Sequence, residues 1–310
     1  MMNAMPFGQL SQEMFKVQQR MANGAGSGLA SGPSSSMSAD VARFIGRVGK
    51  RLDKPPRIVV LGEFNAGKST LVNALIGAEV LPTSIHINTR VPLLIHYSET
   101  PVLNYEDHER VRRPLSLSAI EELRQGSARM LRVGLPLARL KNFELIDTPG
   151  LATGSSQVTE LGLEASRRSH IAVWCTVATQ AWKASEQAIW NALPRRLRQR
   201  SILAVTHRDD IRSDRDAQKL MARLDLEAAS QFGGIVMVAA SDAKLAATLP
   251  DATDAAARWA NSGGAELARR LEASVEGELS SRQGAAERLL TRAADRLLSP
   301  ARAHAGFMAT

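Results

Sequence analysis

Gly62-Glu63-Phe64-Asn65-Ala66-Gly67-Lys68-Ser69-Thr70 decides how this chain folds. It satisfies the pattern G-x-x-x-x-G-K-S, and it sits in the context that pattern needs. Ile58-Val59-Val60-Leu61 before it reads as a buried strand, and Leu71-Val72-Asn73-Ala74-Leu75-Ile76 after it as a helix that stops at Gly77. A strand, a Gly-bearing loop and a helix N-terminus in that order cradle a polyphosphate. The loop N–H groups point at the anion, and the helix dipole favours negative charge there. Lys68 is placed to lie along the β- and γ-phosphates, and the Ser69 hydroxyl to ligate Mg²⁺. The chain reads as a binder of a nucleoside triphosphate.

Three further segments follow in the order that a GTPase needs. Phe143-Glu144-Leu145-Ile146-Asp147-Thr148-Pro149-Gly150 is a strand that ends in Asp-Thr-Pro-Gly. Such a turn is common by itself; after a strand, and downstream of a phosphate loop, it is specific. Asp147 is expected to hold Mg²⁺ through a water, and the Gly150 N–H to sense the γ-phosphate. Ser201-Ile202-Leu203-Ala204-Val205 leads to Thr206-His207-Arg208-Asp209. Asp209 is expected to accept two hydrogen bonds from guanine, which rejects adenine because the carboxylate would then stay unpaired. The usual pattern has Lys where this chain has His207, which weakens the guanine reading, and Asp210 is the alternative carboxylate. Between the first two segments, Ile87-Asn88-Thr89-Arg90-Val91-Pro92-Leu93 carries Thr89, a candidate to complete the Mg²⁺ shell from a switch loop.

Together with Leu81-Pro82-Thr83, Thr89-Arg90, Pro92-Leu93 and the Leu151 that follows the Asp-Thr-Pro-Gly turn, these stretches resemble the GTPase domain of bacterial dynamin-like proteins, from roughly Arg57 to Lys244. The resemblance implies an α/β fold: a three-layer P-loop GTPase domain with a mostly parallel central sheet, plus flanking helices forming a small helical appendage. It implies GTP and Mg²⁺ as cofactors. Gly62 to Thr70, Asp147 to Gly150, and Thr206 to Asp209 become nucleotide contacts; Ser69, Thr89 and Asp147 become metal contacts. Lys68, Ser69, Thr89 and Asn65 become the catalytic set, and Ala239-Ala240-Ser241-Asp242 a weak final base-contacting loop. The interval from Gly62 to Asp147 is longer than a Ras-like domain needs. The excess reads as strands at Leu93–Tyr97 and Met130–Val133 and a helix near Leu117–Arg124.

Two departures bear on catalysis. Eukaryotic dynamins carry Gln-Ser where this chain has Phe64-Asn65, so their cation mechanism does not transfer. Leu151 stands where Ras-like enzymes have a water-orienting Gln. Hydrolysis by a lone protomer is therefore expected to be slow. The family pattern implies a nucleotide-dependent homodimer, or pairing with a second dynamin-like protein, that orders the switch loops; Arg90 is a candidate charge donor there, against an ordinary solvated arginine.

The 310 residues are 44% hydrophobic, enough for one α/β domain with appendages. The single cysteine, Cys175, lies in the apolar run Ile171–Val177, so no internal disulfide forms, which fits a reducing cytoplasm. No apolar run reaches membrane-span length and no signal peptide is legible, so a peripheral place on the inner membrane is the membrane-linked expectation. The net charge is +8, with clusters at Arg195–Arg200 and Arg110–Arg113 and along Arg43–Lys54. Such a surface suits anionic lipid or nucleic acid, or is simply solvated. Aromatics are only 4% and no stacking module is legible, which argues against nucleic acid.

Residues 1–38 read as a flexible segment in which Phe7, Leu10, Met14, Val17 and Met21 give Gly8–Arg20 a short amphipathic pattern, followed by a Gly/Ser/Ala-rich linker. Residues 39–54 read as a flanking helix with Val41, Phe44, Ile45, Val48 and Leu52 on one face. Residues 57–248 read as the GTPase domain, and 262–300 as a C-terminal helical segment with a break near Gly284. No long stalk is legible before Thr310, so a minimal member and one half of a pair are both open. Two readings compete with an active GTPase: a nucleotide-gated adaptor with little turnover, and an RNA- or ribosome-associated GTPase.

Overall fold

The computed structural model describes residues 43, 46, 47, 49, 52, 54–78, 91–115, 128–151 and 157–307, with side chains as far as residue 292. Several expectations lie outside the described residues: the 1–38 segment, the Thr89-Arg90 switch loop with Leu81–Thr83, the Leu117–Arg124 helix, and most of the apolar face of 39–54. The chain divides into two compact units, Pro56–Val275, and Met1–Pro55 with Glu276–Thr310.

The larger unit is built on one nine-stranded sheet. In chain order its elements are β1 (Arg57–Gly62), α1 (Lys68–Ile76), β2 (Leu93–Tyr97), β3 (Val102–Asp107), β4 (Arg112–Pro114), β5 (Ala128–Leu135), β6 (Glu144–Asp147), α2 (Gln157–Arg167), β7 (Ile171–Val177), α3 (Ala184–Ala192), α4 (Arg195–Arg198), β8 (Ser201–Thr206), α5 (Asp214–Glu227), β9 (Ile235–Met237), α6 (Ala240–Ala246), α7 (Ala252–Asn261) and the start of α8 (Gly264–Phe307). The strand order is β4-β3-β5-β2-β6-β1-β7-β8-β9. β6, β1, β7, β8 and β9 run parallel. β2 enters antiparallel to β6, with Leu93 opposite Asp147, and β5 lies parallel to β2. β3 and β4 extend that edge with antiparallel pairs.

The parallel half explains the apolar runs. Ile58 to Leu61, Ile171 to Cys175 and Ile202 to Val205 are all fully or almost fully buried. A strand buried on both faces needs cover on both faces, and this is why these segments read as continuous apolar stretches rather than alternating ones. On one face Trp174, Trp182, Trp190 and Phe232 form a cluster in which Trp190 stacks on Phe232 at 4.3 Å between centroids. Leu267, Leu271 and Val275 of α8 are buried as well.

In the smaller unit, α8 continues past Gly284 without interruption, so the expected break is not there. One glycine in a helix interior costs about 1 kcal/mol relative to alanine. That is offset locally by the Glu278–Arg282 ion pair one turn apart, at 2.7 Å, and by the buried Ala286 beyond. Arg282 also donates to the Lys54 carbonyl at 2.9 Å, and Leu52 is buried.

Candidate functional site

The phosphate loop joins β1 to α1 where the strand's last residue is constrained most. Gly62 has φ +146, and a β carbon there would overlap the Cys175 carbonyl of β7. Only glycine fits that backbone and that approach. Gly67, with φ +72, is the N-cap of α1. Lys68, the first helical residue, is buried, and its Nζ donates to the Glu63 carbonyl at 2.6 Å, so the ammonium lies along the loop. Burial pushes its pKa below the ordinary lysine value. Cys175, whose thiol burial pushes up to about 12, is an inert core group beneath the loop.

Ser69 Oγ donates to Asp147 Oδ2 at 2.6 Å. A hydroxyl from the first turn of α1 thus meets a carboxylate from the end of β6, a strand separated from β1's helix in sequence but next to β1 in the sheet. These are oxygen donors of the kind that Mg²⁺ takes, beside the N–H groups that would face phosphates, and they fit the ion. Ser69 and Asp147 would hold the ion, which would neutralise phosphate charge.

The Asp147–Leu151 turn is docked on the phosphate loop. Thr148 Oγ1 donates to the Val60 carbonyl at 2.6 Å, and the Leu151 N–H donates to the Gly62 carbonyl at 3.0 Å. A β carbon on Gly150 would come within 2.7 Å of Phe64 Cα. Leu151 is a buried core residue, not a group facing a water. Phe64 stands 80% exposed at the loop tip, next to Asn65, which is exposed with φ +59.

At the base end, Thr206 is committed to the scaffold. Its hydroxyl proton is shared between the Ala66 carbonyl at 3.0 Å and the Thr176 carbonyl at 3.1 Å, and His207 Nδ1 lies 3.1 Å from the same oxygen. The His207 ring lies over the phosphate loop; a β carbon on Gly67 would sit 3.3 Å from its Cε1. Asp209 is exposed and lines an open cavity of about 540 Å³ with Arg208, Ala239, Asp242, Asp254 and Arg258, while Asp210 does not line it. The structure thus brings together Gly62–Ser69, Asp147–Gly150 and Thr206–Asp209.

Three side chains at this site carry no sequence motif. Lys183 Nζ is 2.6 Å from Glu63 Oε2, and Ser185 Oγ donates to Glu63 Oε1 at 2.6 Å. Glu186, one residue on, is buried and accepts from Trp174 Nε1 at 3.3 Å, from Thr176 Oγ1 at 2.8 Å and from the Lys183 N–H at 3.1 Å. Burial raises its pKa above the ordinary value. The segment between β7 and α3 is thus fixed from below and tied to the phosphate loop above; Trp182 in it has φ +60.

Residues 58–209, which hold the phosphate loop, the Asp147 turn and Asp209, match the model of the dynamin family. The chain carries a dynamin-family domain. Over 170 residues it is 28% identical to Dynamin-like protein 2 of Campylobacter jejuni, covering 53% of this chain and 27% of that protein. Over 135 residues it is 30% identical to the isoniazid-induced protein IniC of Mycobacterium tuberculosis, covering 41% of this chain and 27% of that one. The matched stretch therefore spans little more than a quarter of the length of these two relatives. A solved structure, described as an oligomerised bacterial dynamin pair for long-range sensing and tethering of membranes, superposes on 97% of this chain and 57% of its own, at 15% identity and a TM-score of 0.62. That likeness is one of fold. The dynamin-family domain is a P-loop GTPase domain with homologues among bacterial dynamin-like proteins.

Proposed function

We propose that the chain binds GTP with Mg²⁺ and hydrolyses it to GDP and phosphate, that turnover rises when a second protomer or a second dynamin-like protein pairs with it, and that it works peripherally at an anionic bacterial membrane surface. The observation that carries the nucleotide chemistry is the Ser69–Asp147 contact at 2.6 Å beside the buried Lys68. In this reading Gly62–Thr70 hold the phosphates, Asp147–Gly150 sense the γ-phosphate, and Asp209 accepts from guanine. Asn65 and Thr89 complete the catalytic set with Lys68 and Ser69. Pairing is supported by Leu151: its side chain is core, so the position directly after the Asp-Thr-Pro-Gly turn offers no polar group to orient a water. Membrane action is supported by the likeness to a membrane-tethering dynamin pair and by the net charge of +8. Among the described residues no helix is long and apolar enough to cross a membrane.

The same Leu151 favours a second reading, a nucleotide-gated adaptor with little turnover. Steady-state hydrolysis of GTP against ATP, with Mg²⁺, over a range of protein concentrations and beside Lys68→Ala, separates the two. GTP preference with specific activity that climbs with concentration is the expected result. Absence of Lys68-dependent turnover at every concentration overturns the enzyme reading in favour of the adaptor.

A further inference from the structure

Guanine offers a protein two hydrogen-bonding edges. N1–H and N2–H₂ are donors and suit a carboxylate; O6 and N7 are acceptors and suit a pair of N–H donors. In this chain Asp209 supplies the acceptor for the first. Thr206 spends its one proton on the Ala66 and Thr176 carbonyls. Ala239 and Ala240, at the start of the final base loop, bring methyl groups. Arg208 is turned to Asp214, 3.4 Å away.

Arg258 lines the same cavity as Asp209 and comes from α7, outside every motif. Its Nε and Nη2 both donate to Asp242 Oδ1, at 3.3 and 2.7 Å. A guanidinium has two forks in its plane. Asp242 takes the fork formed by Nε and Nη2. The fork formed by Nη1 and the outer Nη2 hydrogen makes no hydrogen bond among the described residues, and the side chain is 42% exposed, open to the cavity. Its helix is fixed at both ends. Asp251 caps the start through the Thr253 and Asp254 N–H groups, and beyond the last turn the Ser262 carbonyl accepts from Ala239 N–H at 2.9 Å, which ties α7 to the base loop itself. An ion pair this exposed contributes at most about 1 kcal/mol to stability, so stability gives little reason for this placement. The cavity, at about 540 Å³, has the size of a ligand pocket.

We propose that Arg258, held in place by Asp242, is a second guanine-reading residue, whose open fork donates to O6 and N7 while Asp209 accepts from N1–H and N2–H₂. The proposal rests on Asp209 being the first reader. Adenine would present its N6–H₂ donors to a donor fork and lose the contact. Selectivity weakened by His207 in place of Lys is thereby restored from a helix after the last motif.

The test is competition binding to the full chain, with methylanthraniloyl-GTP as the reporter and GTP, 7-deaza-GTP and XTP as competitors. The parent protein should bind 7-deaza-GTP, which keeps O6 but lacks the N7 acceptor, up to about tenfold more weakly than GTP, the lower end of the range for a bidentate arginine contact. Arg258→Ala, which removes the O6 contact as well, should lower GTP affinity at least to the parent's 7-deaza level and abolish the gap. Arg258→Lys, which keeps the charge but loses the planar fork that Asp242 holds, should narrow the gap. Asp209→Asn should exchange GTP preference for XTP, whose C2 carbonyl accepts from the new amide. If Asp209→Asn makes the exchange but the 7-deaza gap is missing in the parent or survives in both Arg258 variants, the Arg258 assignment is wrong and the base site stands. If Asp209→Asn makes no exchange, the base site itself is misplaced and the proposal falls with it.

Discussion

Glu63, inside the phosphate loop, is held from across the site by Lys183: Oε2 and Nζ are 2.6 Å apart, and Ser185 donates to the other carboxylate oxygen at the same distance. Burial alone would raise the Glu63 pKa, but the bonds from Lys183 and Ser185 override it and hold the carboxyl below its ordinary 4.5. The folded value being the lower one, the pair's stabilisation is fully present above the ordinary carboxylate pKa and is lost as pH falls through the folded value. With side chains 43% and 22% exposed, the pair contributes at most about 1 kcal/mol. Urea unfolding of Glu63→Gln against the parent should show a small deficit near neutral pH that vanishes in acid. A deficit that is flat across that range would show that the charge on Glu63 is not what matters.

Gly62→Ala should be among the most damaging single-methyl changes in the chain. The new β carbon would enter the Cys175 backbone carbonyl, which cannot move without breaking the β1–β7 register, and φ +146 is strained for any side chain. A cost of about 2–5 kcal/mol follows from strain and overpacking together. Thermal unfolding reads it as a midpoint several degrees lower; an unchanged midpoint would mean that the loop backbone is not as described.

How much was legible in the sequence follows from which forces each segment answers to. β1, β7 and β8 were legible because strands buried on both faces must be apolar throughout, β6 because it runs into Asp147-Thr148-Pro149-Gly150, and α1 because its start is written in the phosphate pattern and its end in Gly77. β3 and β4 were not. Val102–Asp107 mixes apolar and charged residues and buries the adjacent Tyr105 and Glu106, so no alternation marks it, and Arg112-Arg113-Pro114 is wholly exposed and reads as a basic cluster. It is an edge strand, and charge with proline is what protects an edge from further pairing. Lys68, Ser69 and Asp147 were legible as one site because their spacing encodes their meeting. Lys183, Ser185 and Arg258 were not, because their partners Glu63 and Asp242 lie on other elements and no local pattern marks the pairing. The unbroken α8 shows the limit of reading glycine as a stop: its neighbours outweigh one weak position.

The Trp174–Glu186 contact yields a third expectation. Glu186 is 2% exposed and serves three donors at once, the Trp174 indole, the Thr176 hydroxyl and the Lys183 N–H. Glu186→Ala leaves the buried Trp174 and Thr176 donors without this acceptor and removes the cap on the Lys183 N–H, a loss of about 2–4 kcal/mol when the shared network is allowed for. Because Trp174 packs edge-on against both Trp182 and Trp190, the tryptophan emission of the folded protein should shift as well. Equal stability with an unshifted emission would mean that the loop before α3 is held by something other than this carboxylate.

The Ser69–Asp147 contact separates metal-dependent from metal-independent binding. Both oxygens serve one ion in the proposed site, whereas Lys68 serves the phosphates directly. GTP affinity measured with Mg²⁺ and with EDTA should differ by about tenfold or more in the parent protein. Ser69→Ala and Asp147→Asn should each shrink that difference while leaving the EDTA value nearly unchanged. The double variant should be scarcely worse than the poorer single one, because groups that act on one ion are not additive. Lys68→Ala should instead lower affinity in both conditions, since its ammonium lies along the loop whether or not the metal is bound. If Ser69→Ala weakens binding equally with and without Mg²⁺, the hydroxyl belongs to the loop's own scaffold, and the 2.6 Å bond to Asp147 is a structural latch rather than half of a metal site.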